Sequence, residues 1–524
     1  MKRYLWFFLL IVMLILLNPA KFKEIDEYNY YWVTDSLFSG KGITIHQGLL
    51  LGIRNNRQGQ FFYGKEGKEG FYSPYGPFLS FANFPVYYIS HLLSRYLGLD
   101  NARREVLLWY SSIMLNGVLM AVLIYLLYFL HGRNGGDERS PAMGFIAAGS
   151  LLLYYSQTFY ADILLSFLVL ISFLFLLSRK EETYYFLAGF FFGLSLVTKI
   201  NSVIFAPCFV LYLWLEERDR RVLLKRLFMF FLPVFFFVMF YLNYNYVRFG
   251  SLFDFGYPER DEFGESMNVF VANPFRGLFA MLFSPGKGVI FYFPVILLYL
   301  VNIKRFLEKR RSITLFTLSV MAVSLVFYSF WKHYEGGTCF GSRFLATGVL
   351  MVLFNIAVAG DLRKTLFDTS MKRYVFLFLA TAGIVVNLGG SLVDFSYYSI
   401  NIDGHYYTGP DDPDIKRQVP EHLWKFAGDY NTGFSPFFGM YGYLIKNAVD
   451  LGKISRCGQA GDYDRLYIAS FEYDCFGRDM DISPVNFYKS GIKTGDMLII
   501  YIYSVLVFMA VLLISKRILL VLSR

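Results

Sequence analysis

Two adjacent carboxylates, Asp26 and Glu27, sit a few residues beyond a first apolar segment, in "KEIDEYNYYWVTDSL". Carboxylates at a membrane surface are costly to bury without a cation, a metal ion or water, so their placement asks for a partner. A solvated turn, or a cap on the following helix, is the ordinary alternative. A third acid, Asp162, opens an apolar run in "YYSQTFYADILL", where an N-cap is its ordinary role, and Lys199 closes another in "GLSLVTKIN", where it would simply snorkel. Farther along stand Arg248, Asp254, Lys287, Lys332, His333 and Arg343, each near the end of an apolar run. Cations gathered around carboxylates suit a phosphate, which Arg engages as a fork and Lys as a point charge. Each of them alone would serve equally well in a solvated loop.

Other chemistries lack their residues. The "SPGKG" segment is no nucleotide loop, because Val289 follows where that loop needs Ser or Thr. No HExxH, GxSxG or Cys/His zinc spacing is present, and the six histidines are scattered. Metalloprotease and serine-hydrolase readings therefore fall away.

The elements that must position these residues are membrane helices. The 524 residues are 56% hydrophobic and 17% charged, and the apolar runs are continuous rather than alternating, which excludes a β-barrel. An all-α polytopic membrane fold with about twelve spans follows: 4–20, 106–130, 141–157, 162–178, 184–198, 202–215, 227–247, 286–302, 312–330, 344–360, 374–394 and 497–515. The net charge of +10 lies in alternate connections such as "HGRNGGDERS", "EERDRRVLLKR" and "NIKRFLEKRR", as cytoplasmic loops require, and calls for no nucleic acid. Both termini then face the cytoplasm, and Met1-Lys2-Arg3 reads as the head of a signal anchor. Asp26, Glu27, Asp162, Lys199 and the Arg343 segment fall together on the outward face.

Residues 72–99 are apolar enough to span, but a span there would invert every later loop. They are expected as helices in the outer interface, broken by Pro74, Pro77 and Pro85. Tyr28, Tyr30, Tyr31 and Trp32 read as an interfacial aromatic belt. Three regions result: a transmembrane core over 1–394 with a first outer loop at 21–105, an extracytoplasmic α+β domain at 395–496, and a last span with its tail at 497–524. The middle region holds 14 acidic against 10 basic residues, and contains Cys457 and Cys475, a candidate disulfide on that side of the membrane.

The layout resembles the GT-C superfamily of membrane glycosyltransferases, in particular the glycosyltransferase 39 and aminoarabinose-transferase-like branch. The resemblance rests on "DEYNYY", "YSPYGPFLSFANFPVYYISHLL", "SQTFYADILLSFLVLISFLFLL" and "LAGFFFGLSLVTKINSVIFAP", and covers residues 30 to 345 or so; the region 395–496 departs from it. It implies transfer of a sugar from a polyprenyl phosphate donor to a glycan, lipid or protein acceptor on the outer face of a cell membrane, towards periplasm or exterior. Asp26 then takes the place of the catalytic first-loop aspartate with Glu27 beside it, Asp162 that of the second-loop acid, and Lys199 that of the lysine on the donor phosphate. Arg343, Lys287, Arg248 and His333 are the further phosphate-binding candidates. A divalent cation, Mg or Mn, would bridge Asp26 or Asp162 to the phosphate. The competing reading is a transporter or flippase for a lipid-linked or anionic solute, which would place charges near the bilayer midplane and repeat its two halves, and neither is visible. A non-enzymatic assembly scaffold fits the paired charges least well.

Overall fold

Long runs of Leu, Ile, Val and Phe satisfy their backbone hydrogen bonds locally, and the structure, a computed structural model, is built of helices accordingly. It describes residues 2–23, 25–45, 64–137, 141–178, 181–257, 270, 272–331, 334, 336, 339–393 and 482–522. In chain order these form α1 (Lys2–Leu17), α2 (Ile25–Phe38), the hairpin strands β1 (Lys65–Glu66) and β2 (Phe71–Tyr72), α3 (Phe78–Tyr96) and α4 (Asn101–Arg133). Then come α5 (Ala142–Ala148), α6 (Leu152–Tyr155), α7 (Ala161–Ser178), α8 (Glu182–Thr198), α9 (Ala206–Glu216) and α10 (Arg220–Phe249). The chain continues through α11 (Pro274–Phe283), α12 (Val289–Tyr292), α13 (Ile296–Val301), α14 (Ile303–Ser329), α15 (Ala346–Val358), α16 (Leu362–Thr365) and α17 (Ser370–Leu392). It ends with α18 (Ser483–Lys489) and α19 (Thr494–Leu522).

Among the described residues six helices are long and apolar enough to cross a membrane: α4, α7, α10, α14, α17 and α19. Shorter apolar helices include the end of α1, α9, α11 and α15. The expected spans at 141–157 and 286–302 are instead broken helices, α5 with α6 and α12 with α13. The breaks fall at Gly149-Ser150 and at Phe293-Pro294, where the missing proline N–H and the low helix preference of glycine end the ladder. The chain between α17 and α18, with Cys457 and Cys475 and most of the expected α+β domain, lies outside the described residues.

Apolar surface gives no drive for helix association inside a bilayer, so close packing must supply it. The α8/α10 pair shows how: Gly189 lies directly on the backbone carbonyl of Phe230, and a Cβ there would collide with it. Side-chain polar groups cap the helices that begin at loops, Asp100 on α4, Asp219 on α10 and Thr369 on α17. At the far end of the sequence α18 returns to the first helix. Asn486 donates to the Pro19 carbonyl at 2.5 Å, and Phe487 packs on Tyr110 with ring centroids 5.1 Å apart.

The segment 78–96 is one helix with Pro85 inside it, rather than several pieces, and Pro74 and Pro77 lie ahead of it. Packing of α3 against α2 and α4 covers α2 on its long sides, so Tyr28, Tyr30, Tyr31 and Trp32 are buried in protein rather than lying in an interfacial belt. Phe22 stands 5.2 Å from both Tyr28 and Tyr31, and Tyr30 stacks on Tyr75 at 5.2 Å. These rings hold α2 rigidly against the bundle.

Candidate active site

The chain leaves α1 through a tight turn, where the Asn18 side chain donates to the Tyr110 carbonyl (2.8 Å) and accepts from Ala20 N (2.9 Å), with Ala20 in the left-handed region. The turn delivers Asp26 into the first turn of α2. One carboxylate oxygen of Asp26 accepts from the Tyr75 hydroxyl at 2.5 Å, and the other from Arg343 Nη1 at 2.7 Å. Burial by itself would push the Asp26 carboxyl up. The Arg343 charge, the hydrogen bonds from Tyr75 and Arg343, and the nearby Lys199 outweigh burial and hold it below the usual carboxylate range. Asp26 is therefore ionised at neutral pH.

Glu27 points elsewhere. It is fully buried, and its two oxygens accept from the backbone N–H of Lys23 (2.7 Å) and of Phe159 (2.5 Å). It thus ties the start of α2 to the turn that precedes Asp162, whereas Asp26, its neighbour in sequence, meets Tyr75 and Arg343. The same turn is held from α4, where buried Asn116 donates to the carbonyls of Thr158 and Tyr160, both at 2.8 Å.

Asp162 follows in the first turn of α7 and accepts from Lys199 Nζ at 3.0 Å through Oδ1, while Oδ2 is buried without a hydrogen-bond partner. Lys199 lies in extended backbone between α8 and the 3-10 turn Ile200–Phe205, which aims its ammonium at Asp162 rather than along the helix. The aromatic ring of Phe344 serves both cations, 5.5 Å from Lys199 Nζ and 5.5 Å from the Arg343 guanidinium. Phe344 is itself stacked on Tyr328 at 4.0 Å. Two acids and two bases from α2, α7, α8 and the start of α15 are thereby brought to one place. Gly76 permits the approach of the Tyr75 loop, since a Cβ there would run into the Val197 and Thr198 carbonyls just before Lys199.

The other expected phosphate ligands are placed differently. Arg248 is fully buried, donates to the Ser73 carbonyl and to Asn245 Oδ1 (2.7 Å), and stacks on Tyr244 at 3.9 Å. It clamps the loop that carries Tyr75. Lys287 is buried and donates to the Cys339 carbonyl, holding the loop ahead of Arg343. His333 lies outside the described residues. Sequence reasoning passed over Tyr75 and Asn116, for which the only local signal was a polar group among apolar neighbours.

As a metal site the arrangement is poor. Asp26 and Asp162 each already carry a cation at hydrogen-bond distance, and among the described residues no three His, Cys, Asp or Glu side chains converge. A divalent ion would have to displace an ammonium or a guanidinium, so the residues present do not fit a resident ion. Beside Tyr328 lies an apolar groove of about 530 Å³ lined by Phe270, Ala322, Val323, Val326, Phe327 and Phe330.

Residues 110–244 match the family described as dolichyl-phosphate-mannose-protein mannosyltransferase. The match includes Asp162 and Lys199 and stops short of Asp26 and Arg343. No curated protein sequence matches the chain. Among solved structures the chain is similar to the apo oligosaccharyltransferase of Archaeoglobus fulgidus, at 12% identity and TM-score 0.44, covering 79% of this chain and 59% of that one. The chain thus spans less than two thirds of that protein. It is also similar to ArnT from Cupriavidus metallidurans bound to undecaprenyl phosphate, at 12% identity and TM-score 0.43, covering 86% of this chain and 80% of that one. The apo form of ArnT gives 13% identity and TM-score 0.41, with 87% and 81% covered. Its six long apolar helices make the chain a multi-pass membrane protein, and the stretch 110–244, which includes α7 and α8, is similar to that mannosyltransferase family.

Proposed function

We propose that the protein is an inverting glycosyltransferase that moves a sugar from a polyprenyl phosphate donor to an acceptor hydroxyl at the outer face of a cell membrane. The observation that carries this reading is the quartet Asp26, Arg343, Asp162 and Lys199, a carboxylate base beside two cations at the ends of apolar helices.

Such a transfer needs a base for the acceptor hydroxyl and positive charge for the departing phosphate. Asp26 is ionised and takes the hydroxyl proton as the acceptor oxygen forms its bond to C1. The C1–O bond to the phosphate breaks on the opposite face, its electron pair leaving with the phosphate, so the configuration inverts. Lys199 and Arg343 take up the charge that develops on the leaving polyprenyl phosphate. Asp162 keeps Lys199 aimed into the site, and Glu27 fixes the spacing between the two acids. The isoprenoid chain lies along the apolar groove lined by Phe327 and Phe330, where the Phe327 ring meets that of Tyr328.

The test is transfer of radiolabelled sugar from a panel of polyprenyl phosphate sugars, in native membrane extract, by wild type and Asp26→Asn. Turnover that falls by roughly 10²- to 10⁴-fold in the variant supports Asp26 as base. Persisting turnover removes Asp26 from the chemistry. No transfer from any donor, with labelled lipid crossing liposome bilayers, would replace the reading by a flippase.

A further inference from the structure

Both oxygens of Asp26 already accept a short hydrogen bond, one from Tyr75 at 2.5 Å and the other from Arg343 at 2.7 Å. A carboxylate neutralised by a guanidinium is a poor base, because the proton it would accept must compete with the cation. The two anions and two cations of the quartet also sum to zero. A donor phosphodiester brings one negative charge and, on losing its sugar, leaves with more, so the added anion draws a cation of the neutral quartet away from its carboxylate.

The two pairs are not equally free to open. Lys199 is pinned at the end of α8 and faces an Asp162 that is nearly inaccessible, with 4% of its side chain exposed. Arg343 stands in the short 3-10 turn Arg343–Leu345, and its Nε is buried without a hydrogen-bond partner. Its guanidinium lies 5.0 Å from Tyr160 and 5.5 Å from Phe344, an aromatic surface over which it can slide without losing its cation–π contacts. Tyr75, in contrast, is fixed. Its ring stacks on Tyr30, its backbone N–H donates to Ser73 Oγ at 3.2 Å, and buried Arg248 holds the Ser73 carbonyl. When Arg343 moves to a phosphate, Tyr75 keeps Asp26 where it was.

We propose that the Arg343–Asp26 pair is a latch on the catalytic base, opened when the lipid-linked phosphate takes Arg343, so that the donor must bind before Asp26 can act on the acceptor. This rests on the lipid-phosphate reading above. Asp26 then has an uncovered oxygen and an anionic neighbour, and both raise its basicity at the moment the acceptor hydroxyl is required. Arg248 and Tyr75 are positioning residues for this step.

Affinity for undecaprenyl phosphate, used as the probe, tests the latch without any acceptor. Dissociation constants are measured for the full-length protein in nanodiscs as wild type, Asp26→Asn, Arg343→Gln and the double variant, each checked for monodisperse elution and a cooperative thermal transition. If Asp26 competes with the phosphate for Arg343, Asp26→Asn binds about tenfold tighter than wild type, and the same substitution changes affinity less than about twofold once Arg343 is absent. Equal tightening in both backgrounds would mean simple charge repulsion and overturn the latch, as would unchanged or weaker binding by Asp26→Asn. Should Arg343→Gln not fold, Arg343→Lys replaces it, and its single-point contact must leave an intermediate gain. Absence of binding by all forms overturns the lipid-phosphate reading itself, and the latch with it.

Discussion

Replacing Glu27 by Gln keeps the side chain's shape and removes its charge and one of its acceptor oxygens. The structure sets what this costs. The carboxylate is fully buried and receives two backbone N–H groups, from Lys23 and from Phe159, across 132 positions of chain in the latter case. A glutamine amide can accept from only one of them, and its NH₂ then faces the other donor. One charge-assisted hydrogen bond is lost and one buried N–H is left unmet, together about 2 to 5 kcal/mol. Thermal unfolding of the purified variant in detergent should show a midpoint several degrees lower than wild type. In the transfer assay kcat should fall more than donor KM rises, because the turn before Asp162 loses its tether to α2 while Lys199 and Arg343 remain. Full thermal stability together with abolished turnover would refute the reasoning, since it would mean that the Glu27 carboxylate itself takes part in the chemistry.

Three further outcomes follow from the same geometry. Tyr75→Phe removes a hydrogen bond that helps hold the Asp26 carboxyl down, so its folded-state value rises. Since the base must be ionised, the acidic fall of kcat/KM moves to higher pH, and an unmoved limb would separate Tyr75 from Asp26 function. Because Lys199 and Arg343 supply the positive charge, transfer by EDTA-washed protein should match the untreated protein; activity lost and restored by Mg²⁺ or Mn²⁺ would overturn that. Val326→Trp, which fills the groove beside Tyr328, should raise KM for long-chain donors while leaving short-chain analogues unaffected, and equal KM changes for both would remove the groove from donor binding.

Composition and the order of charges along the chain were enough to predict a helical membrane protein, because helices in hydrocarbon must be apolar for most of their length and loops need not be. Most helices fall close to where apolar length puts them. The exceptions, 141–157 and 286–302, contain Gly149 and Pro294, whose effect on a helix depends on what packs against the break. The aromatic cluster of α2 is buried rather than interfacial for a related reason. Tyrosines near a first span look the same in sequence whether they meet headgroups or Phe22, Tyr75 and Trp109.

Residue type alone determined that Asp26, Asp162, Lys199 and Arg343 could serve a phosphate, since ionised groups beside apolar runs must be paired or wet. Which acid meets which base was decided only by the tertiary structure. Asp26 finds Arg343 across 317 positions and Asp162 finds Lys199 across 37, while Glu27, one residue from Asp26, turns the other way into backbone. Neighbours on a helix are rotated by about 100° from one another, so adjacency in sequence sends two carboxylates to different surroundings. Arg248 and Lys287 have the same chemistry as Arg343 and Lys199. The carbonyls packed against them make them clamps, and no sequence pattern records where those carbonyls will lie.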